Sequence, residues 1–368
     1  MSNYRRIVEP ATRAIDALRA EISADLDEEA GGIGWWNGHI GWKDSAQLGE
    51  YLLSSCTGVS DSLVKAALVV EEHRKTEFSL NHDRAARARK LAERPSSRDE
   101  RIATLASSND GETRREELQD IWVEQTLVSL AQALDRLAAV VLVVAGVKVD
   151  VLRTDWGKLS ELAEKAPRSG QHQGVRQGVF ADTGTLGRGR QNALLEIVTA
   201  SRDHGPQDWL SWLLKSRNTY VHRAPRMNFQ VMITEKKRPA GTIRPLHAQP
   251  DWADTEAMIG ASKQGLEAMF LESTPQEVLD GLRDSVCSLA AAVSEEARLL
   301  WIARRADPSL IIQHGGTWRP LDRASVLKFP GYGPAAPTEF GEIAFNPSGV
   351  RRLRAARLMD DQVHLWGR

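Results

Sequence analysis

Cysteine is scarce in this sequence of 368 residues. Cys56 and Cys287 are the two it has, which excludes a disulfide framework and a cysteine-rich zinc site and fits a reducing compartment. A charge surplus of either sign is also missing. Lys and Arg number 48 against 49 Asp and Glu, a formal charge of -1, so no global basic field advertises nucleic acid and any RNA contact must come from a local patch. Long hydrophobic runs are absent too: Leu137 to Val147 is about half of what a bilayer span needs. Tyr4-Arg5-Arg6 leads into a charged amphipathic stretch, not a signal peptide. His73 and His82 have no carboxylate or cysteine at ligand spacing, so no metal is expected. No G-x-x-x-x-G-K-[ST] or strand-borne G-x-G-x-x-G supports a nucleotide site, and no cofactor is expected. The expectation is a soluble, cytoplasmic, mainly α protein without membrane attachment.

What is there is helical periodicity. Glu112 to Val147 carries Leu127, Leu130, Leu134, Leu137, Val141 and Val144 at spacings of three and four, a seam that must pack on a neighbour, with Gly146 near its end. Pro275 to Arg304 repeats the pattern through Leu279, Leu282, Val286, Leu289 and Val293. Pro10 to Glu29, Asp44 to Ser55, Ser60 to Glu93, Trp156 to Lys165 behind an Asp155 cap, Asn192 to Ser201 and Gln207 to Val221 read as further helices. Asn228 to Thr234 and Thr242 to His247 alternate around Pro239-Ala240-Gly241 and read as a β-hairpin. Pro308 to Arg368, rich in Pro and Gly, reads as a small β-containing cap. The chain divides into an N-terminal helical region (1–95), a helical core (112–224) and a C-terminal part (225–368), with Pro95 to Gly111 as the linker.

Three side features have two readings each. The tryptophans of Gly34 to Trp42, GWWNGHIGW, form a stacking platform for a base or, the preferred reading, an aromatic plug. Arg84, Arg87, Arg89, Lys90 and Arg94 form a phosphate-binding tip or, more simply, a solvated helix surface. Ser169 to Arg190 carries six Gly and three Arg, and reads as a mobile lid or an ordinary surface loop.

The chemistry concentrates in Trp209 to Arg226, WLSWLLKSRNTYVHRAPR. Leu210, Leu214, Arg217 and Val221 recur at the helical period, which puts Arg217 on the stripe expected to face inward. Asn218 and His222, four apart, stack on one face within reach of the long Arg stem. A structural alternative pairs Arg217 with Glu196 or Asp135 and makes His222 a helix C-cap.

The run Arg217-Asn218-Thr219-Tyr220-Val221-His222 resembles the R-x4-6-H motif of HEPN domains, helical bundles of which many are metal-independent ribonucleases. A polar residue, often Asn, follows the Arg in that family, as Asn218 does here. The run ALDRLAAVV around Asp135-Arg136 also resembles the long helix that precedes the family's motif helix. Arg357 and His364 match the bare spacing as well, but Leu358 and Met359 follow that Arg and no long helix precedes it. The resemblance covers roughly Glu112 to Arg223. It implies a HEPN-type bundle, to which the β-hairpin read from alternation is appended, and an endoribonuclease, in a phage-defence or stress-response system, or a non-catalytic helical protein binding RNA or a partner protein.

The chemistry follows from RNA itself, whose 2'-hydroxyl is an internal nucleophile. His222 is assigned to proton transfer, Arg217 to phosphate and Asn218 to orientation, with Lys215, Arg223 and Arg226 as the local RNA-binding patch. One copy supplies one imidazole where the reaction needs a base and an acid, so a homodimer pairing two motif helices is expected. Where one branch of the family has a Tyr two residues past the His, this chain has Ala224. The regulatory partner, if the system has one, is not readable.

Overall fold

The computed structural model describes residues 3–26, 42–93, 107–166, 179–180, 185–222, 229–233, 242–247 and 273–307, with a few isolated positions besides. Among them the protein is mainly helical: α1 (Asn3–Asp25), α2 (Trp42–Ala92), α3 (Asp110–Ala145), α4 (Trp156–Glu164), α5 (Leu186–Thr199), α6 (Trp209–His222) and α7 (Pro275–Ala306). Strands β1 (Phe229–Ile233) and β2 (Thr242–Leu246) pair antiparallel, Phe229 opposite Leu246 and Ile233 opposite Thr242. Residues 234–241, where the hairpin turn is expected, lie outside the described residues. So do the tryptophans before Trp42, Arg94, most of the Gly-rich stretch, Arg357, His364 and nearly all of the C-terminal cap.

The two strongest periodic stretches are the two best-terminated helices. The α3 seam from Leu127 to Val144 is fully buried. Asn109 Oδ1 accepts the Glu112 N–H at 3.0 Å at its start. At its end Gly146 takes φ +64°, and the Val147 and Gly146 N–H groups return to the Leu142 and Val143 carbonyls at 3.0 and 3.2 Å. Only a left-handed residue closes the last turn this way, and glycine does so without strain. Helix α7 opens on a reciprocal cap in which Thr274 Oγ1 accepts from Glu277 N and Glu277 Oε2 accepts from Thr274 N. Pro275 at the first helical position gives up an N–H that would be unpaired anyway.

Two helices differ from the sequence reading. The stretches Asp44–Ser55 and Ser60–Glu93 are one helix, α2, because Gly58 is used for proximity instead of termination. A β-carbon there would come 2.7 Å from Arg136 Cδ, and Arg136 Nη1 donates to the Gly58 carbonyl at 2.8 Å. Helix α1 begins at Asn3 and carries Pro10 inside it, where the sequence reading starts it at that proline.

Compactness groups non-consecutive segments, unlike the sequence division along the chain. Unit 1 comprises Met1–Thr12, Val59–Leu134 and Ala200–Leu289; unit 2 comprises Arg13–Gly58, Asp135–Thr199 and Ala290–Arg368. In unit 1, ion pairs Arg87–Glu112, Arg84–Glu116 and Asp83–Arg115 join α2 to α3. One number falls as the other rises, so the two run antiparallel. In unit 2, Arg304 donates to the carbonyls of Val144 and Ala145, and burial brings its pKa down to about 10. Its charge sits at the negative end of α3, where a cation is favoured. Trp301 Nε1 donates to Asp25 at 2.6 Å, and Arg305 pairs with Asp25 and Glu21. Stretches within α2 and α3 are long and apolar enough to cross a membrane by length and composition, and the α3 window is 78% buried inside the protein.

Candidate functional site

Helix α6 belongs to unit 1 and is set in place at its N-terminal end. Gly205 allows a close approach that no other residue would: a β-carbon there would lie 2.5 Å from Ser285 Oγ and 2.8 Å from Trp209 Cδ1. Asp208 follows at φ +61°, a left-handed conformation that Asp tolerates better than most residues. Its carbonyl accepts the Trp212 N–H at 2.9 Å. Trp209 is buried, and its indole Nε1 donates to the Arg202 carbonyl at 3.2 Å.

The buried residues of α6 are Trp209, Leu213, Ser216 and Thr219. Small side chains on the last two let the helix approach its neighbours closely, and Thr219 Oγ1 satisfies itself on the Lys215 carbonyl at 3.0 Å. Tyr220 anchors the end. Burial, followed by the nearby Asp120 and Glu124 of α3, pushes its phenol up to about 12, so it stays protonated and is no acid or base near neutral pH.

The inward face is therefore one residue round from the stripe read in the sequence. Leu210, Leu214 and Arg217 are half-buried, and Val221 is 46% exposed. Arg217 lies at the edge of the packed face with its head toward the surface side: Nη1 donates to Asn218 Oδ1 at 2.8 Å. Asn218 and His222 are exposed, and His222 is the last residue of the helix. One helical turn separates them, which sets their β-carbons about 5–6 Å apart. Lys215 is exposed on the same helix; Arg223 and Arg226 lie outside the described residues. The structure thus joins Arg217 to Asn218 directly and places His222 one turn beyond. Asp135, a candidate structural partner for Arg217, accepts the Trp156 N–H at 3.2 Å at the head of α4.

Two members of the basic tip on α2 are paired with carboxylates of α3. Arg84 is buried against Glu116 at 2.8 Å, and Arg87 pairs with Glu112 at 2.7 Å and donates to the Ser107 carbonyl. These two guanidiniums fasten α2 to α3, which leaves Arg89 and Lys90 as exposed cations there.

One group of residues escaped the sequence reading. His73 on α2 is buried with Nδ1 2.7 Å from Gln276 Oε1 of α7. His247, just after β2, is buried with its ring edge-on to Trp212 of α6, centroids 5.8 Å apart. Burial first, then His73, brings His247 down to about 4. No local pattern marks this cluster, since its members come from four separate stretches. Among the described residues no three His, Cys, Asp or Glu side chains are grouped to hold a metal ion.

In comparisons with known proteins, no family model, no curated protein and no solved structure matches the chain.

Proposed function

We propose that this protein is a metal-independent endoribonuclease, a helical bundle of HEPN type with an appended β-hairpin at residues 229–246, working as a cytoplasmic homodimer in phage defence or a stress response. The observation that carries the reading is the Arg217–Asn218 hydrogen bond on the outer edge of α6, with the exposed His222 imidazole one turn away at the helix end.

A guanidinium binds two oxygens of a phosphodiester and offsets the charge that grows on phosphorus when the ribose 2'-hydroxyl attacks. The 2'-oxygen forms a bond to phosphorus, the 5'-oxygen leaves, and the product keeps a 2',3'-cyclic phosphate. One proton leaves the 2'-hydroxyl and one reaches the 5'-oxygen. An imidazole near neutrality does either, and His222 of each subunit would provide one transfer. Asn218 fixes the plane of the Arg217 guanidinium. Lys215, Arg223 and Arg226 supply the local cationic field that the overall charge of -1 does not.

The test is cleavage of a generic RNA by the purified chain, with product ends identified and Arg217→Ala and His222→Ala as controls. A non-catalytic helical protein that binds RNA or a partner protein is the second reading. It is favoured by exposed apolar side chains on unit 1, Phe78 at 75%, Ile121 at 51% and Val221 at 46%. Tight binding without cleavage in the same assay would select it.

A further inference from the structure

The chemistry assigned to Arg217, Asn218 and His222 leaves the buried histidines of unit 1 unused. His73 is 2% exposed. Gln276 Oε1, 2.7 Å from its Nδ1, can only accept, so with the amide in this orientation Nδ1 carries a proton. His247 is 8% exposed, and its Nε2 has no hydrogen-bond partner. Nor has Nε1 of Trp212, the indole that its ring meets at 64°. His247 is tied to the chain beyond it by its carbonyl, which accepts the Leu271 N–H at 3.0 Å.

Most charged groups around the cluster are already engaged. On α2, Arg74 pairs with Asp280 of α7 at 2.7 Å and Arg84 with Glu116. Glu77, one turn from His73, is half-buried and pushed up, by burial first. On α7, Glu277 is held in the Thr274 cap, and Arg283 bonds Asp280 and Asp284. Trp212, the α6 member of the contact, has no charge. Neither imidazole is hydrogen-bonded to a carboxylate among the described residues.

We propose that His247 and His73 form an acid-sensitive latch on α6: a proton taken up at His247 Nε2 finds no acceptor and stands beside a second imidazole, so acidification drives the His247 segment from under Trp212 and loosens the first turns of α6. Above neutrality the same contact holds the helix shut. The pressure is relieved by moving the coil residue His247, the one member of the pair outside a helix, into water. This inference rests on the buried cluster and is independent of the ribonuclease reading.

The test is a pH titration of the full chain from 7.5 to 4.5, following histidine ring carbons and tryptophan indole N–H resonances by NMR. Trp212→Phe identifies the indole signal and His247→Gln the imidazole. The latch requires His247 to stay neutral well below the pH at which exposed histidines titrate. It also requires the Trp212 indole signal to shift or broaden with the midpoint of His247, and His247→Gln to remove that response. An indole signal that is flat while His247 titrates overturns it. So does His247 titrating with the exposed histidines, or collapse of all indole signals together, which would be global acid unfolding. Should His247→Gln fail to fold, His73→Gln must move the His247 midpoint upward; an unmoved midpoint overturns the pair.

Discussion

Arg217 Nη1 donates to Asn218 Oδ1 at 2.8 Å, a bond between adjacent residues running along the outer edge of α6. Successive helical side chains point about 100° apart, so the bond exists because the Arg stem bends round the helix toward its neighbour. It orients the guanidinium without burying it.

If that orientation serves phosphate binding, Asn218→Ala should lower RNA cleavage about tenfold, the effect of roughly 1.4 kcal/mol in the transition state. Binding of uncleavable RNA should weaken far less. Equal losses in binding and cleavage would make Asn218 an ordinary contact.

Arg217→Ala and His222→Ala should each abolish cleavage and leave unfolding free energy within about 0.5 kcal/mol of wild type, since neither head is in the packed face. Trp209→Ala should behave oppositely and cost about 3–5 kcal/mol, because the indole is buried and leaves a cavity. Chemical denaturation of the three variants separates the classes, and an unfolded Arg217→Ala protein would make Arg217 structural.

Gly205→Ala should destabilise the protein by about 1–3 kcal/mol through overpacking, since the added methyl would meet both Ser285 Oγ and the Trp209 ring. A variant as stable as wild type would show that the start of α6 relaxes freely.

Stability should fall with acid over a defined window. His247 is held at about 4, below the usual 6.5, by burial and by His73, so the folded state favours the neutral ring. Its contribution is complete above pH 6.5 and is lost as pH falls toward 4, by roughly 3 kcal/mol at 1.36 kcal/mol per unit. Denaturant melts of wild type and His247→Gln between pH 7.5 and 4.5 should diverge in slope across this window. Parallel curves would assign the acid sensitivity elsewhere.

Much of the helical framework is legible in the sequence, for reasons local to each element. The α3 and α7 seams are long, and their ends carry Gly146 and the Thr274-to-Glu277 cap. Asp155 caps α4 as its position implies, accepting from Lys158 N at 2.9 Å. The rotation of α6 is not legible, because its sequence contains two apolar stripes one residue apart. The choice between 210/214/217/221 and the buried set 209/213/216/219 is made by the space at Gly205 that admits Trp209, a tertiary fact. Gly58 misleads in the same way: a glycine that makes room for Arg136 looks like one that ends a helix. Arg217, Asn218 and His222 could be singled out because they share one short helix. His73, Trp212, His247 and Gln276 could not, since nothing before folding relates them.

Proton counting calls for a homodimer in the proposed reaction, and light scattering should then give about twice 40.7 kDa. Mixed dimers carrying one His222→Ala subunit should lose far more than half the activity, whereas a monomer that cuts RNA, or a half-active mixed dimer, would mean that each site acts alone.

The most direct measurement of the central claim is the chemical nature of the RNA ends made by the purified protein in EDTA, beside its His222→Ala variant. Wild type should leave 2',3'-cyclic phosphate and 5'-hydroxyl ends, and the variant none. Ends bearing a 5'-phosphate, or undiminished cleavage by His222→Ala, would contradict it.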